Sequence, residues 1–335
     1  GCASAGHSCG HKAIVPTEEV TFFIPETIIT IDKNGKVECI KGRLRDTFWK
    51  GKPSEVKHKI SNSASPITKE NYLKTIGNIQ ELIKEGNVYE LNYCVPYTHK
   101  FQVLDPVSLH IDLLQKSPVP MAAFYKAKHL TMCGASMERY LSRSGNTLLS
   151  QPIKGTIGKG KTAEEDLQMI SQLENSEKDK AENVMIVDLV RNDMARVSIP
   201  GTIQVNELFG IYSYLQVHQM ISTITSELKS DISFDDIIRT SFPMGSMTGA
   251  PKIAAMEHIE NLEIFKRGWY SGAFGYINPE GDFDFNVVIR SILCDDSSST
   301  INYNAGGAIT IDSDPHNEWD EVELKLKAIT ELLRN

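Results

Sequence analysis

The stretch VYELNYCVPYTHKFQV, residues 88–103, is the first of four consecutive strand-like runs. The three others follow at 122–126, 129–135 and 139–142. Helical patterns are grouped separately, at about 163–194, 251–264 and 316–333. Because strands and helices come in batches rather than in strict βαβ alternation, the sequence predicts an α+β fold with a large, mostly antiparallel sheet.

Upstream of this stretch the sequence predicts one helix and one hairpin. An amphipathic run over residues 68–86 ends at a glycine, which is typical of a helix with a stop signal. Segments 20–31 and 36–40 flank an Asn-Gly pair, which indicates a hairpin turn. The polar stretch 50–66 is the best linker candidate. We therefore expect a shortened N-terminal segment over 1–64 and a main domain over 65–335.

The composition is that of an ordinary globular protein. The 335 residues include 35 Lys and Arg against 43 Asp and Glu, a formal net charge of −8. This balance argues against a nucleic-acid-binding surface, which needs clustered cations, but it allows a small anionic substrate. No window approaches the roughly 18 apolar residues of a membrane helix, and the chain opens without a basic or apolar leader. We expect a soluble, cytoplasmic protein that binds neither nucleic acid nor membrane.

Six cysteines are scattered through the chain, and we expect free thiols rather than a disulfide framework. Cys2, His7, Cys9 and His11 lie close together near the start and have the chemistry of soft metal ligands. Their spacing matches no zinc pattern. No metal site is therefore predicted there.

Two predicted helices, one around 177–193 and one that starts at Asp314-Pro315, each carry two carboxylates just ahead of the buried face. The pairs are Asp179 with Glu182 and Glu318 with Glu321. If the helices faced each other, four carboxylates would repel unless a cation lay between them, and hard oxygen ligands favour Mg²⁺. Alternatively, the carboxylates complement two helix dipoles at solvated ends that never meet. The sequence leaves both readings open.

Two glycine-containing stretches could cradle an anion on free backbone N–H groups. Residues 242–252 end at a helix start, with Pro251 at the first helical position, and residues 304–308 are the second. Neither is a nucleotide fingerprint, and each by itself is typical of a plain turn. Lys154 lies beside another glycine. A desolvated lysine would have a lowered pKa and a free nucleophilic amine, whereas the ordinary alternative is a surface lysine beside a turn.

Several long segments, in their order along the chain, resemble the chorismate-utilising enzymes, which include the anthranilate, aminodeoxychorismate, isochorismate and salicylate synthases. The segments are GASMERYL (134–141), PIKGT (152–156), KDKAENVMIVDLVRNDMARV (178–197), SFPMGSMTGAPK (241–252), RGWYSGAFGYI (267–277), VVIRSI (287–292) and DSDPHNEWDEVELKLKAI (312–329). The resemblance covers roughly residues 65–335, which would be a chorismate-binding catalytic domain. It implies two large packed antiparallel β-sheets with outer helices and an active-site cleft.

The resemblance also implies roles for individual residues. Glu182 and Glu321 fall on the family's Mg²⁺ positions, with Asp179 and Glu318 in the surrounding acidic shell. Arg290 would hold a carboxylate of chorismate. The substrate-binding positions as a whole are Tyr270, Arg290, Gly306, Gly307, Ala308, Ser246, His218, Gly155 and Thr156.

Lys154 decides the branch of the family. Anthranilate synthases carry alanine there, whereas lysine resembles the aminodeoxychorismate synthases. This resemblance implies that the amine attacks carbon 2 of chorismate as the 4-hydroxyl leaves. Ammonia then adds at carbon 4 and expels the lysine, and Glu138 matches the general acid that protonates the leaving hydroxyl. The implied reaction is the Mg²⁺-dependent amination of chorismate with ammonia to 4-amino-4-deoxychorismate, for para-aminobenzoate and folate biosynthesis.

The alternatives are an anthranilate synthase component I, an isochorismate or salicylate synthase, and a non-catalytic chorismate-binding subunit. Glu90 stands where relatives usually carry Gln and where water-adding relatives carry a Lys base, which argues against water as the nucleophile. Met137 and Ala308 replace a usual Pro and a usual third Gly. The presence of both Lys154 and Glu138 argues against a mere binder, which needs neither nucleophile nor acid.

The chain contains no GxCxGxQ setting of an amidotransferase and no lyase segment. We therefore expect it to use free ammonia or ammonia from a separate glutamine amidotransferase subunit. Residues 1–64 are also shorter than the N-terminal half-sandwich that the family usually carries.

Overall fold

The structure is a computed structural model that describes residues 11–43 and 57–334. Within these ranges the helices are α1 (Lys69–Lys84), α2 (Pro106–Lys116), α3 (Ala163–Glu174), α4 (Glu177–Val197), α5 (Phe234–Ser241), α6 (Lys252–Leu262) and α7 (Pro315–Leu333). The strands are β1 (Ile28–Ile31), β2 (Val37–Lys41), β3 (Lys59–Ile60), β4 (Glu90–Val103), β5 (Met121–Ala127), β6 (Leu130–Ser136), β7 (Arg139–Ser144), β8 (Thr147–Gln151), β9 (Ile153–Gly158), β10 (Gln204–Ser213), β11 (Val217–Glu227), β12 (Gly249–Ala250), β13 (Ala273–Ile277), β14 (Phe283–Val287), β15 (Ser291–Asp295) and β16 (Thr300–Ile309).

Two seven-stranded sheets dominate the described residues. Sheet A has the order β10-β11-β8-β7-β14-β13, with β9 also paired to β11. Sheet B has the order β12-β4-β16-β15-β6-β5, with β3 paired to β4. The strand pairs within both sheets are antiparallel, and β1 and β2 form a separate antiparallel hairpin. The predicted α+β class is confirmed.

Local capping groups start the elements near the predicted positions. Asp32 closes the hairpin turn by accepting hydrogen bonds from two backbone N–H groups. Thr68 caps α1 by accepting one such hydrogen bond, and Asp314 caps α7 by accepting two. The helical block predicted over 163–194 is two helices, because Ser176 caps a new one. Pro251 is the N-cap of α6, with an extended ψ of 142°, rather than its first helical residue.

Each sheet packs against its own helices. Ile76 of α1 and Leu326 of α7 are buried in the core of sheet B. Val187 of α4 and Ile237 of α5 are buried in the core of sheet A. Tyr270 packs against both cores, so the loop before β13 joins the two halves.

Part of the predicted linker is attached to sheet B. The strand β3 pairs with β4, and Ala64 forms a bridge with Thr98, so residues 57–66 are not a free connection. Residues 50–56 lie outside the described ranges. The division of the chain at residue 64 stays a prediction.

The remaining expectations concern cysteines and membranes. Cys2, His7 and Cys9 lie outside the described residues, and His11 Nε2 is 3.0 Å from the Glu260 carbonyl oxygen. The four cysteines within the described ranges are free thiols. None of the helices described above is long and apolar enough to cross a membrane.

Candidate active site

Glu138 and Arg290 lie where the chain crosses between the sheets. Glu138 separates β6 of sheet B from β7 of sheet A, and Arg290 separates β14 of sheet A from β15 of sheet B. The crossovers are hydrogen-bonded to each other, because Ser136 Oγ donates to the Val287 carbonyl at 2.6 Å and Val287 N–H donates to the Glu138 carbonyl at 3.0 Å. The backbone thus fixes both residues at the junction of the two sheets.

Glu138 is a buried acid that titrates near neutrality. It is 5% exposed, and burial raises its pKa to about 7. Ser246 Oγ donates to Glu138 Oε1 at 2.7 Å, and this hydrogen bond and the charge of Lys154 oppose the effect of burial. Near pH 7 the carboxyl is therefore partly protonated, as a proton donor must be.

Lys154 lies in β9 and is 8% exposed, so the alternative of a surface lysine is wrong. Its Nζ donates to Glu90 Oε1 at 2.6 Å. Burial lowers the pKa of Lys154. The charges of Glu90, Glu182 and Glu138 and the hydrogen bond to Glu90 raise it by more, so the pKa lies above its usual value. The expected lowering of this pKa is wrong, because the surrounding carboxylates hold Lys154 as an ammonium.

The strand that carries Lys154 lies against α4. Gly155 has a φ of +91°, and an ideal Cβ at this position would come within 3.1 Å of the Asp179 carboxyl group. Thr156 Oγ1 accepts a long hydrogen bond of 3.5 Å from Gln219 Nε2 on β11. Glycine at 155 therefore lets the acidic start of α4 approach the backbone next to Lys154.

The structure brings the acidic starts of α4 and α7 together. Lys178 Nζ on α4 lies 2.8 Å from Glu318 Oε1 on α7 and 3.7 Å from Glu182 Oε1 on its own helix. One turn further along α7, Lys325 Nζ lies 2.6 Å from Glu321 Oε1 and lowers the pKa of Glu321. The alternative in which two solvated helix ends never meet is therefore wrong.

The donor chemistry at this junction fits a hard divalent cation. Glu182 is 7% exposed, and burial raises its pKa to about 7. In the described part of the chain, Glu182 Oε1 has no hydrogen-bond partner. No group of three or more metal-ligating side chains within 11–43 and 57–334 is arranged to hold an ion. The carboxylate oxygens suit Mg²⁺ in kind, while in this structure Lys178 and Lys325 supply positive charge to these carboxylates.

The run Gly306-Gly307-Ala308 is part of a strand rather than a turn. It lies in β16 and pairs with β4, and among the described residues β15 pairs with β16 only as far as Asn302. The Gly306 carbonyl accepts a hydrogen bond from Lys325 Nζ at 2.8 Å. An ideal Cβ at Gly307 would come within 3.3 Å of Glu318 Oε2, so glycine allows a close approach between this strand and α7.

Arg290 is a cation without an ion-pair or hydrogen-bond partner among the described residues. No ion pair or hydrogen bond of its guanidinium occurs among the described residues, and its backbone has a φ of +49°. Burial lowers the pKa of Arg290 to about 10, and the charge of Glu321 opposes this effect. Burial also raises the pKa of Tyr270 strongly, which keeps this phenol neutral. A ligand carboxylate would supply the bidentate partner that the guanidinium lacks.

Two cavities border the junction. One has an empty volume of about 370 Å³ and is lined in part by Glu138 and Ser246. The other has an empty volume of about 250 Å³ and is lined in part by Met137 and Arg290. The predicted acid and the predicted carboxylate-binding arginine therefore each line a recess beside the junction.

His218 is placed differently from the other predicted site residues. It is fully buried, and its ring nitrogens lie 2.7 Å from Ser213 Oγ and 2.9 Å from Asp166 Oδ1. Both nitrogens are thus engaged by protein groups, which leaves neither for a substrate in this structure.

The sequence missed the direct partners of the predicted residues. Glu90 was recognised only as a departure from a pattern, although it contacts Lys154, and Lys178 and Lys325 were not selected at all. A signal for Glu90 was an acid at the start of a strand-like run, and the six residues that follow it are buried.

Comparisons with known proteins agree with this geometry. A family whose description is chorismate binding enzyme matches residues 11–331. The chain is 42% identical over 264 residues to the chloroplastic aminodeoxychorismate synthase of Arabidopsis thaliana, covering 78% of this chain and 28% of that protein. It is 34% identical over 308 residues to anthranilate synthase component 1 of Saccharolobus solfataricus, covering 92% of this chain and 72% of that protein.

A solved structure has the same fold. Anthranilate synthase component I from Streptococcus pneumoniae superposes with a TM-score of 0.82 at 26% identity, covering 96% of this chain and 75% of that one. The chain spans less than a third of the length of the plant relative, so the similarity concerns one part of that longer protein.

Proposed function

The chain belongs to the family of chorismate-binding enzymes, and we propose that it catalyses the Mg²⁺-dependent amination of chorismate with ammonia to 4-amino-4-deoxychorismate. The observation that carries this proposal is that the amine of Lys154 and the acid Glu138 are both buried and lie close enough for the charge of Lys154 to lower the pKa of Glu138. A nucleophile and a proton donor in one enclosed site suit a substitution in which a poor leaving group must be protonated. The similarity to a plant aminodeoxychorismate synthase supports the same branch.

In this reaction the Lys154 amine attacks carbon 2 of chorismate while the 4-hydroxyl leaves. Glu138 donates the proton that turns the leaving hydroxyl into water. Ammonia then forms a bond to carbon 4, and the Lys154 nitrogen leaves carbon 2 and keeps the bonding electron pair. Burial of Glu138 supports this role, since it keeps the carboxyl partly protonated near neutral pH.

The dianionic substrate needs positive groups in one place on an acidic protein. Arg290 is suited to bind one carboxylate of chorismate in a bidentate manner, and the Gly306-Gly307 backbone allows close approach. Glu182 and Glu321 would hold Mg²⁺, which when bound would neutralise and orient a ring carboxylate. Tyr270 and Ser246 would complete the walls of the site.

The source of ammonia is a further part of the proposal. The anthranilate synthase relatives described above are named as component 1 or component I. We expect a separate glutamine amidotransferase subunit to deliver ammonia to this chain, with free ammonium salts replacing it in the test tube. We also expect the product to enter para-aminobenzoate synthesis in the cytoplasm.

The test is the identity of the product. The purified chain is incubated with chorismate, Mg²⁺ and an ammonium salt, with and without an added aminodeoxychorismate lyase, and the products are measured by mass spectrometry. We expect 4-amino-4-deoxychorismate alone, and para-aminobenzoate only with the lyase. Lys154→Ala should abolish the reaction, whereas Lys327→Ala, on the exposed face of α7, should not. An unaffected Lys154→Ala variant would refute the covalent role of the lysine.

The second candidate is an anthranilate synthase. The 34% identity to the Saccharolobus solfataricus protein over most of its length favours it. Anthranilate formed without the lyase would establish this activity instead and would contradict the assignment based on Lys154.

A further inference from the structure

The side chains of Glu90 and Lys154 form a buried pair whose geometry is fixed by the backbone. Glu90 is 1% exposed and starts β4, where Ala250 of β12 pairs with it. The neighbouring Tyr89 N–H donates to the Ala250 carbonyl at 2.7 Å. Gly249 has a φ of +145°, and a Cβ there would clash with the Glu90 carbonyl oxygen, so only glycine permits this pairing.

The proposed reaction needs Lys154 without its proton, because an ammonium nitrogen has no lone pair. Among the described residues, Glu90 is the carboxylate that accepts a hydrogen bond from Lys154 Nζ. The other acids whose charges reach Lys154 are Glu138 between β6 and β7, Glu182 on α4 and Glu321 on α7. In the proposed function Glu138 donates its proton to the leaving hydroxyl and the two helix carboxylates hold the cation, so each already has a role.

Glu90 is also suited to gain a proton. Its Oε2 is buried and has no hydrogen-bond partner in the described part of the chain. A negative charge on an unpartnered buried oxygen is costly, and protonation of the carboxyl removes that cost once Lys154 is no longer charged.

We propose that Glu90 is the proton acceptor of the nucleophile: it takes one proton from the Lys154 ammonium and returns it when the reaction ends. This inference rests on the proposed function. The N–H bond of Lys154 breaks and an O–H bond of Glu90 forms, after which the free electron pair of nitrogen forms the bond to carbon 2. When ammonia forms its bond to carbon 4, the bond between carbon 2 and the Lys154 nitrogen breaks. The nitrogen departs as a neutral amine, and Glu90 returns the proton to it. No proton needs to be exchanged with solvent in this pair.

The pair makes the formation of the neutral Lys154 amine insensitive to pH, because the proton moves from Lys154 to Glu90 rather than to solvent. A neutral Gln in place of Glu90 cannot accept the proton, so Lys154 must lose it to solvent. Removal of the Glu90 charge also lowers the pKa of Lys154, which acts in the opposite direction. The dependence of the rate on pH is therefore more informative than the rate at one pH.

The experiment measures kcat/KM for chorismate between pH 6 and pH 8, with Mg²⁺ present and the concentration of free ammonia held constant. We expect at least about a tenfold loss at pH 6 in Glu90→Gln, recovered as the pH rises, relative to the wild-type profile. Glu90→Ala should also lose at least about tenfold in kcat/KM. Added acetate should restore part of this loss, whereas acetamide, which has a similar shape, should not. Asp295→Asn is a matched control, because it neutralises a similarly buried carboxylate, which accepts hydrogen bonds from Ser297 Oγ and Ser298 Oγ after β15, and it should leave the pH profile unchanged.

The outcomes separate the two proposals. If the wild-type chain makes no 4-amino-4-deoxychorismate, the proposed function fails. If it does, and Glu90→Gln has the wild-type rate at every pH, or acetate fails to raise the rate of a Glu90→Ala variant that still binds chorismate by calorimetry, the role of Glu90 is refuted.

Discussion

Ser246→Ala should raise the pH at which the enzyme loses activity on the alkaline side. Ser246 Oγ donates to Glu138 Oε1 at 2.7 Å, and both side chains are buried. A hydrogen bond to a charged group stabilises it by about 1.5–3 kcal/mol, and about 1.4 kcal/mol corresponds to one pH unit. The hydrogen bond favours the carboxylate, so its loss favours the protonated acid. We therefore expect the alkaline limb, near pH 7 in the wild type, to move up by about one to two pH units.

The assay is the pH dependence of kcat at saturating chorismate, Mg²⁺ and free ammonia. The position of the limb is diagnostic, since the height of the profile also responds to any change in substrate binding. Ser226→Ala is a suitable control, because it removes a similarly buried hydroxyl near the end of β11. Ser226 Oγ accepts a hydrogen bond from Ser198 Oγ at 2.7 Å. An alkaline limb that stays in place or moves to lower pH in Ser246→Ala would show that Glu138 is not the titrating acid.

Three further predictions concern the metal site, the substrate and the backbone. Without Mg²⁺, the pKa of Glu182 is about 7 in the folded protein, against an ordinary value of 4.5. The free energy of unfolding should therefore fall as the pH rises between these two values. Glu182→Gln removes that loss. In urea unfolding, the free energy of unfolding of the variant relative to wild type should therefore rise by up to about 3 kcal/mol between pH 5 and pH 8; a difference that does not change with pH would contradict this. Arg290→Lys should raise the KM for chorismate at least about tenfold with a smaller change in kcat, because lysine cannot bind a carboxylate in a bidentate manner; an unchanged KM would exclude the contact. Gly249→Ala should lower the free energy of unfolding by at least about 2 kcal/mol, whereas Gly77→Ala, with open space around a Cβ in α1, should not destabilise the protein; equal effects would refute the steric argument.

Many of the features that the sequence predicted correctly depend on neighbours in the chain. The cap at Asp314, the hairpin turn at Asp32 and the strands at 88–103 and 129–135 follow from local hydrogen bonds and residue patterns, and all are confirmed. The carboxylates that precede the buried faces of α4 and α7 were also visible, because helical periodicity fixes which residues share a face.

By itself, then, the sequence determined several of the helices and strands, the α+β class and the family, through short-range chemistry and several long matching segments. Only the tertiary structure decided the state of Lys154, because its partner Glu90 lies 64 residues away and the carboxylates that raise its pKa come from separate elements. It also decided that the 306–308 run is a strand and that the two acidic helix starts share Lys178. The sign of a pKa shift and the strand with which a segment pairs depend on distances between remote segments, which local sequence does not specify.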